Sequence, residues 1–181
     1  MREPEATLPR TRVPEFPDIM DIEASGFGSH SYPIEIGVVL GEGRRFSRLI
    51  RPPTDWQHWD TAAEAVHGLS RELLTAHGQS PLAVAHALNA LLAGRTLYSD
   101  GWVLDQPWLN RLYAAAQIRR TFHLSPLELL LTEPQMQIWA STRAEVEQEL
   151  DLMRHRASQD ARVIQTTFNR SLVACRQAAA R

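Results

Sequence analysis

Asp18-Ile19-Met20-Asp21-Ile22-Glu23 is the stretch on which the fold turns. Apolar and acidic residues alternate along it, which is the period of a β-strand. Residues two apart on a strand share a face, so Asp21 and Glu23 project side by side from an otherwise apolar element. Like charges held that close repel, and burial sharpens the repulsion. A cation between them relieves it, and hard divalent ions such as Mg²⁺ or Mn²⁺ take oxygen ligands of this kind. Taken alone, the pair is equally compatible with an exposed edge strand carrying solvated acids.

Working outward, Gly26 and Gly28 break the alternation, and Pro33 to Leu40 (PIEIGVVL) reads as a second strand rich in branched apolar residues. Gly41-Glu42-Gly43 is a turn signal, and Phe46 to Arg51 reads as a third strand closed by Pro52-Pro53. The three form an antiparallel meander. Helical periodicity then takes over: a short segment from Ala62 to Val66, one capped by Ser70 and running through Thr75, and an amphipathic helix Pro81–Leu92 with Ser80 as its N-cap. Thr96 to Ser99 is a short strand, followed by a helix from about Leu104 to Ala116. Thr121 to Leu124 suggests a fifth strand, with Ser125-Pro126 opening another helix. Glu133–Met153 and Ala157–Ala179 are expected helices with a break near His155. This order predicts an α/β fold, a mixed central sheet of about five strands flanked by helices.

The chain of 181 residues fits one domain, expected over residues 17–181 after a flexible lead-in of residues 1–16. Its 44% hydrophobic and 22% charged residues are ordinary for a globular protein. No run approaches the roughly 18 apolar residues of a membrane helix, and the proline-containing, mixed-charge start is not a secretory signal. A cytoplasmic protein without a membrane partner is expected. The single cysteine, Cys175, supports neither a disulfide framework nor a thiolate metal cage. A net charge of −2 argues against gripping long nucleic acid mainly by charge. It leaves open a pocket for a few nucleotides in which bound cations supply the positive charge.

Three further features carry chemistry. The glycine-flanked turn Ala24-Ser25-Gly26-Phe27-Gly28 lets a ligand approach the backbone. Tyr98-Ser99-Asp100-Gly101-Trp102-Val103-Leu104-Asp105 puts one acid at a strand end, where α/β folds bind ligands, and another in a helix's first turn. His155-Arg156-Ala157-Ser158-Gln159-Asp160 brings an imidazole and a carboxylate to one loop-to-helix junction. An imidazole titrates near neutrality and suits proton abstraction from water. Each has a bland alternative in a strand-to-loop bend, a dipole-compensating acid or a surface histidine.

Together, in this order and at these separations, the motifs resemble those of the DEDDh-type 3′–5′ exonucleases of the ribonuclease H-like superfamily, which include polymerase proofreading subunits and several exoribonucleases. The resemblance runs from about Pro17 to Ala174. Asp21-Ile22-Glu23-Ala24-Ser25-Gly26 is similar to the family's first motif, Ile34-Glu35-Ile36-Gly37 to its second strand, and Ala65-Val66-His67-Gly68-Leu69-Ser70 to its histidine–glycine segment. Asp105 falls where the second-motif aspartate belongs, and His155 with Asp160 has the third motif's spacing. The family usually has histidine–asparagine where this chain has Ser99-Asp100, and threonine where it has Ser25. Asp100 adds a negative charge near where a phosphate would lie.

The resemblance implies a catalytic set of Asp21, Glu23, Asp105, Asp160 and His155. The four acids would hold two Mg²⁺ or Mn²⁺ ions, and His155 would be the general base toward the attacking water. Hydrolysis of the last phosphodiester would release a nucleoside 5′-monophosphate. Ala24, Ser25, Gly26, Phe27, His67 and Trp102 would line the substrate, with Phe27 and Trp102 as stacking candidates; Trp56, Trp59, Trp108 and Trp139 are expected to be packing residues. The expected partners are single-stranded nucleic acid 3′ ends or short oligonucleotides. A catalytically weak binding module and a hydrolase of short oligonucleotides are the alternatives. Little sequence follows the third-motif helix, so a free-standing nuclease is expected. The apolar stretch Ser171–Ala174 with Ala178–Ala180 would pack in cis or across a homodimer.

Overall fold

The computed structural model describes residues 16–151 and 155–180. Five strands form one sheet in the order β3-β2-β1-β4-β5. β1 (Ile19–Ala24) pairs antiparallel with β2 (Pro33–Val39), and β2 pairs antiparallel with β3 (Arg45–Leu49). β4 (Thr96–Ser99) and β5 (His123–Pro126) join parallel on the other side of β1. The expected meander and mixed sheet are present. The strand carrying the acidic pair is the middle one of the sheet, not an edge, so its carboxylates are not simply solvated.

Alternation along β1 and β2 divides the sheet into two faces. Met20, Ile22 and Ala24 with Ile34, Ile36 and Val38 enter the larger core, which also takes Val84, Leu88 and Leu92 of α3 (Pro81–Leu92) and Leu109 and Leu112 of α4 (Trp102–Ala116). Ile19 and Val39 face the other way, into a smaller core with Ala161, Ile164, Phe168 and Leu172. Those four recur at intervals of three and four, so one stripe of the long C-terminal helix covers that face. Burial of such a stripe is the main stabilising term, at roughly 25 cal/mol per Å² of apolar surface.

The shorter helices start where the chain provides caps. Asp60 accepts from the Ala62 amide at the start of α1 (Thr61–His67), Ser70 from Leu73 at α2 (Arg71–His77), and Ser80 from Ala83 at α3. Two expectations are corrected. α4 begins at Trp102, not Leu104. Ser125-Pro126 does not open a helix: both residues finish β5, and a single 3₁₀ turn (Leu127–Leu129) follows. The next helix, α5 (Glu133–Leu150), begins at a capping box between Thr132 and Gln135. The break near His155 is present: Asp151 ends α5 in the left-handed region at φ +41°, and α6 (Ala157–Ala179) starts after His155 at φ +59°. The expected end of the preceding helix at Leu152-Met153 and the lead-in before Phe16 lie outside the described residues. Among the described residues no helix is long and apolar enough to cross a membrane.

Candidate active site

The register of β1 on β2 sets the floor of the site. Glu23 lies opposite Glu35, Asp21 opposite Gly37, and Ile19 opposite Val39, all on the face covered by α6. Glycine is required at position 37, because a Cβ there would stand 2.1 Å from the Ala157 carbonyl carbon and 2.1 Å from the Ser158 nitrogen. The start of α6 therefore rests directly on the sheet beside Asp21.

Glu35 fixes that contact. Its carboxylate, 1% exposed, accepts from Arg156 Nε at 3.0 Å and Nη2 at 2.9 Å, from the Ala157 amide at 3.2 Å and from Ser47 Oγ at 2.8 Å. A bidentate guanidinium and a helix-terminal amide on one buried carboxylate make a directional clasp. Arg156 is held between His155 and Ala157, so the clasp sets His155 and Asp160 over β1. One nitrogen or oxygen each from Glu23, His155 and Asp160 all lie within 4.8 Å of one another.

Asp105 arrives from the opposite side. Ser99, fully buried at the end of β4, accepts from the Gly101 amide at 3.0 Å and donates to Asp105 Oδ2. Asp105 itself is 3% exposed in the first turn of α4. Asp21, Glu23, Asp105, His155 and Asp160 all line one cavity of about 590 Å³, a volume suited to a small ligand.

Burial, with the charges of Asp105, Glu23, Asp160 and Asp100, holds the Asp21 carboxyl well above the usual carboxylate range. Glu23 is pushed up to about 7 by burial and by Asp160 and Glu35, against the pull of Arg156. Asp105 is also raised, by burial first and by Asp100 and Glu23, although the Ser99 hydrogen bond opposes this. Such crowding is costly without positive charge. An all-oxygen donor set with one imidazole beside it suits Mg²⁺ or Mn²⁺. The residues present therefore fit divalent cations.

The wall beside the acids is apolar: Ala24, Gly26, Phe27, Val66, Leu104 and Trp108 line it with His67. Phe27 is 69% exposed, and its ring lies 6.5 Å from that of Trp108. α4 holds the loop beneath Phe27. Trp108 Nε1 donates to Ser31 Oγ at 2.7 Å, and Arg111 donates to the Ser31 carbonyl at 3.0 Å. Gly26, at φ +132°, admits no side chain, since a Cβ would stand 2.6 Å from Asp60 Cβ. His67 Nδ1 accepts from the Leu69 amide at 3.0 Å, which puts the proton of the neutral ring on Nε2. Nε2 is buried and has no hydrogen-bond partner.

Two expected lining residues stand elsewhere. Ser25 is 1% exposed and braces the loop: its Oγ accepts from the Tyr32 amide and meets His58 Nδ1 at 3.0 Å. Trp102 turns away from the cavity, donating from Nε1 to the Leu124 carbonyl at 3.1 Å. Trp108, expected only to pack, lines the cavity in its place. It lies three residues after Asp105, on the same helix face, and that spacing was a usable signal. Asp60 and Arg143 also line the cavity and carried no motif. Asp100 pairs with Arg143 of α5 at 2.5 Å.

No family model and no curated protein sequence matches this chain. Solved structures do. Escherichia coli exonuclease I in complex with a dA16 oligonucleotide superposes with a TM-score of 0.64 at 14% identity, covering 90% of this chain and 41% of that one. A moderately thermophilic exonuclease I from Methylocaldum szegediense gives 0.63 at 13% identity, over 89% and 40%. The zinc-bound E. coli exonuclease I–single-stranded DNA complex gives 0.60 at 16% identity, over 90% and 41%. The chain thus spans about two fifths of the length of these proteins. At such identities the likeness is one of fold: this chain has the ribonuclease H-like architecture that these exonucleases share.

Proposed function

We propose that this chain is a divalent-metal-dependent 3′–5′ exonuclease that removes nucleotides singly from single-stranded ends, with a DEDDh-type site. The observation carrying this reading is the convergence of Asp21, Glu23, Asp105, Asp160 and His155 from three distant segments on one cavity with an apolar wall. The structural neighbours solved with oligonucleotides and with zinc support it at the level of fold.

Asp21, Glu23, Asp105 and Asp160 would hold two Mg²⁺ or Mn²⁺ ions. Such ions polarise the phosphoryl group and stabilise both the attacking and the leaving oxygen. His155, beside Glu23 and Asp160, takes the proton of the attacking water. A new P–O bond forms as the bond to the 3′-oxygen of the penultimate nucleotide breaks, releasing a nucleoside 5′-monophosphate. Phe27, Val66, Leu104 and Trp108 receive the terminal base by stacking and apolar contact, which every base can provide. His67 Nε2 offers a donor toward the same nucleotide. Glu35 and Arg156 are positioning residues, acting through the segment that carries His155.

The decisive assay is incubation of 5′-labelled single-stranded DNA and RNA with Mn²⁺ and with chelator. A ladder shortening one nucleotide at a time, abolished by chelator, is expected; intact substrates in every arm would overturn the reading. Five acids and one arginine line the cavity, which favours short oligonucleotides as a second reading of the substrate. Equal rates on dinucleotides and long strands would select it.

A further inference from the structure

We propose that Arg143 is a substrate-phosphate ligand and that Asp100 is a built-in competitor, which occupies its guanidinium until a phosphate displaces it. This rests on the exonuclease reading and adds a residue that no motif indicates.

Arg143 stands on α5, outside the three acidic motifs, yet lines the same cavity as Asp21, Asp105, His155 and Asp160. It is the guanidinium among the residues lining that cavity. A polyanion entering there meets Asp21, Glu23, Asp60, Asp105 and Asp160. Cations held by the acidic set neutralise the reacting phosphate. Holding the neighbouring backbone against the remaining acids calls for a fixed positive charge. A planar guanidinium fork matches phosphate oxygens better than an ammonium does, and this chain has arginine and no lysine.

The guanidinium is engaged by two acids. Nη1 donates to Asp100 Oδ2 at 2.5 Å and Nε donates to Glu147 at 3.0 Å. These side chains keep 32%, 23% and 24% of their surface exposed for Arg143, Asp100 and Glu147. The pair is half-buried and still reaches solvent, so an incoming phosphate, which matches the guanidinium fork, can take over the Nη1 side while Glu147 still steers Nε. Asp100 sits at the β4–α4 junction next to Gly101, which lines the cavity. Its carboxylate thus carries a negative charge one residue from the cavity wall. It therefore opposes a phosphate twice, by occupying Arg143 and by direct repulsion.

The two partners of this ion pair are then expected to have opposite effects. Steady-state kinetics on a 5′-labelled single-stranded oligonucleotide with Mn²⁺ would compare wild type, Arg143→Ala, Arg143→Lys and Asp100→Asn, with melting curves for each. Arg143→Ala should raise KM about 10–100-fold, the worth of a charge-assisted hydrogen bond, with a smaller change in kcat. Arg143→Lys should recover part of it. Asp100→Asn should lower KM about 2–5-fold. The slope of log(1/KM) against log salt should become shallower by about 0.7 in Arg143→Ala, the loss of one phosphate contact on a single strand. A purely structural strut would instead show both variants raising KM and lowering the melting temperature together, with the salt slope unchanged, and that would overturn the proposal. An active wild type whose KM ignores Arg143→Ala also overturns it while leaving the exonuclease reading intact. A wild type that cleaves neither DNA nor RNA removes both.

Discussion

Replacing His155 by alanine removes the imidazole that stands beside Glu23 and Asp160. Loss of a general base should slow turnover about 10²–10⁴-fold, with the melting temperature and its response to Mn²⁺ nearly unchanged. Single-turnover rates with a metal titration check this, and an unchanged rate removes His155 from the role. Arg156 next to it has a different task. Removing one partner of a buried charge pair costs about 3–5 kcal/mol. The Arg156 side chain keeps 32% exposure against 1% for Glu35, so Arg156→Ala should sit at the low end, about 3 kcal/mol, and activity should fall with it. Urea titration gives the stability change. At this scale the acids and His155 were legible as candidates only in combination: each local pattern has a bland alternative, and it is their order and separation along the chain that resemble a known family. The clasp partners were not: Glu35 and Arg156 lie 121 residues apart. Arg143 looks, in sequence, like one half of an i,i+4 surface pair with Glu147. The turn of Trp102 toward the Leu124 carbonyl is a tertiary choice that no neighbouring residue encodes.

β2 and α6 meet at a contact that tolerates no added atom. Gly37→Ala would place a methyl 2.1 Å from the Ala157 backbone, and a helix terminus cannot yield as a flexible side chain can. Overpacking costs typically 1–3 kcal/mol, and this contact should reach the upper end. With roughly 2–4 °C lost per kcal/mol in a chain of this size, a fall of about 6–12 °C is expected. Because α6 carries Asp160, activity should drop more than the stability loss alone explains. A Gly37→Ala protein melting like wild type at full activity would contradict this placement of α6. The elements themselves were legible from branched apolar residues in β2, from the helical period in α6, and from period and cap together in α3. The Ser125-Pro126 expectation failed because a serine–proline pair suits a helix start and a strand end equally. Parallel pairing of His123–Pro126 with Thr96–Ser99 decided for the strand, and such long-range pairing leaves no local trace.

For the whole molecule, the buried acidic cluster is a liability to stability. Glu23, Asp21 and Asp105 all hold their protons to higher pH in the folded chain than in the unfolded one. Between the ordinary and the raised values the folded state binds more protons, so stability falls as pH rises through that window. For Glu23 the window runs from about 4.5 to about 7, and Asp105, pushed up to about 8, extends it upward; Asp21 adds to the same trend. Glu42, Glu72 and Glu149 are shifted the other way, but their influence ends near ordinary carboxylate values. His67 is lowered by burial, and its opposing contribution ends near pH 6.5, the ordinary histidine value. From about pH 6.5 upward the acids therefore act alone, and the melting temperature of chelator-treated protein should fall steadily toward pH 8.5. Divalent metal should reverse this. A ligand at 100 times its Kd adds about 2.7 kcal/mol, or roughly 5–10 °C here. The gain should be larger at pH 8 than at pH 6.5, because metal and protons compete for the same carboxylates. Differential scanning calorimetry with Mg²⁺, Mn²⁺ and chelator across this range reads both effects. A melting temperature indifferent to pH without metal, and to metal at pH 8, would mean that the three acids are not crowded into one site.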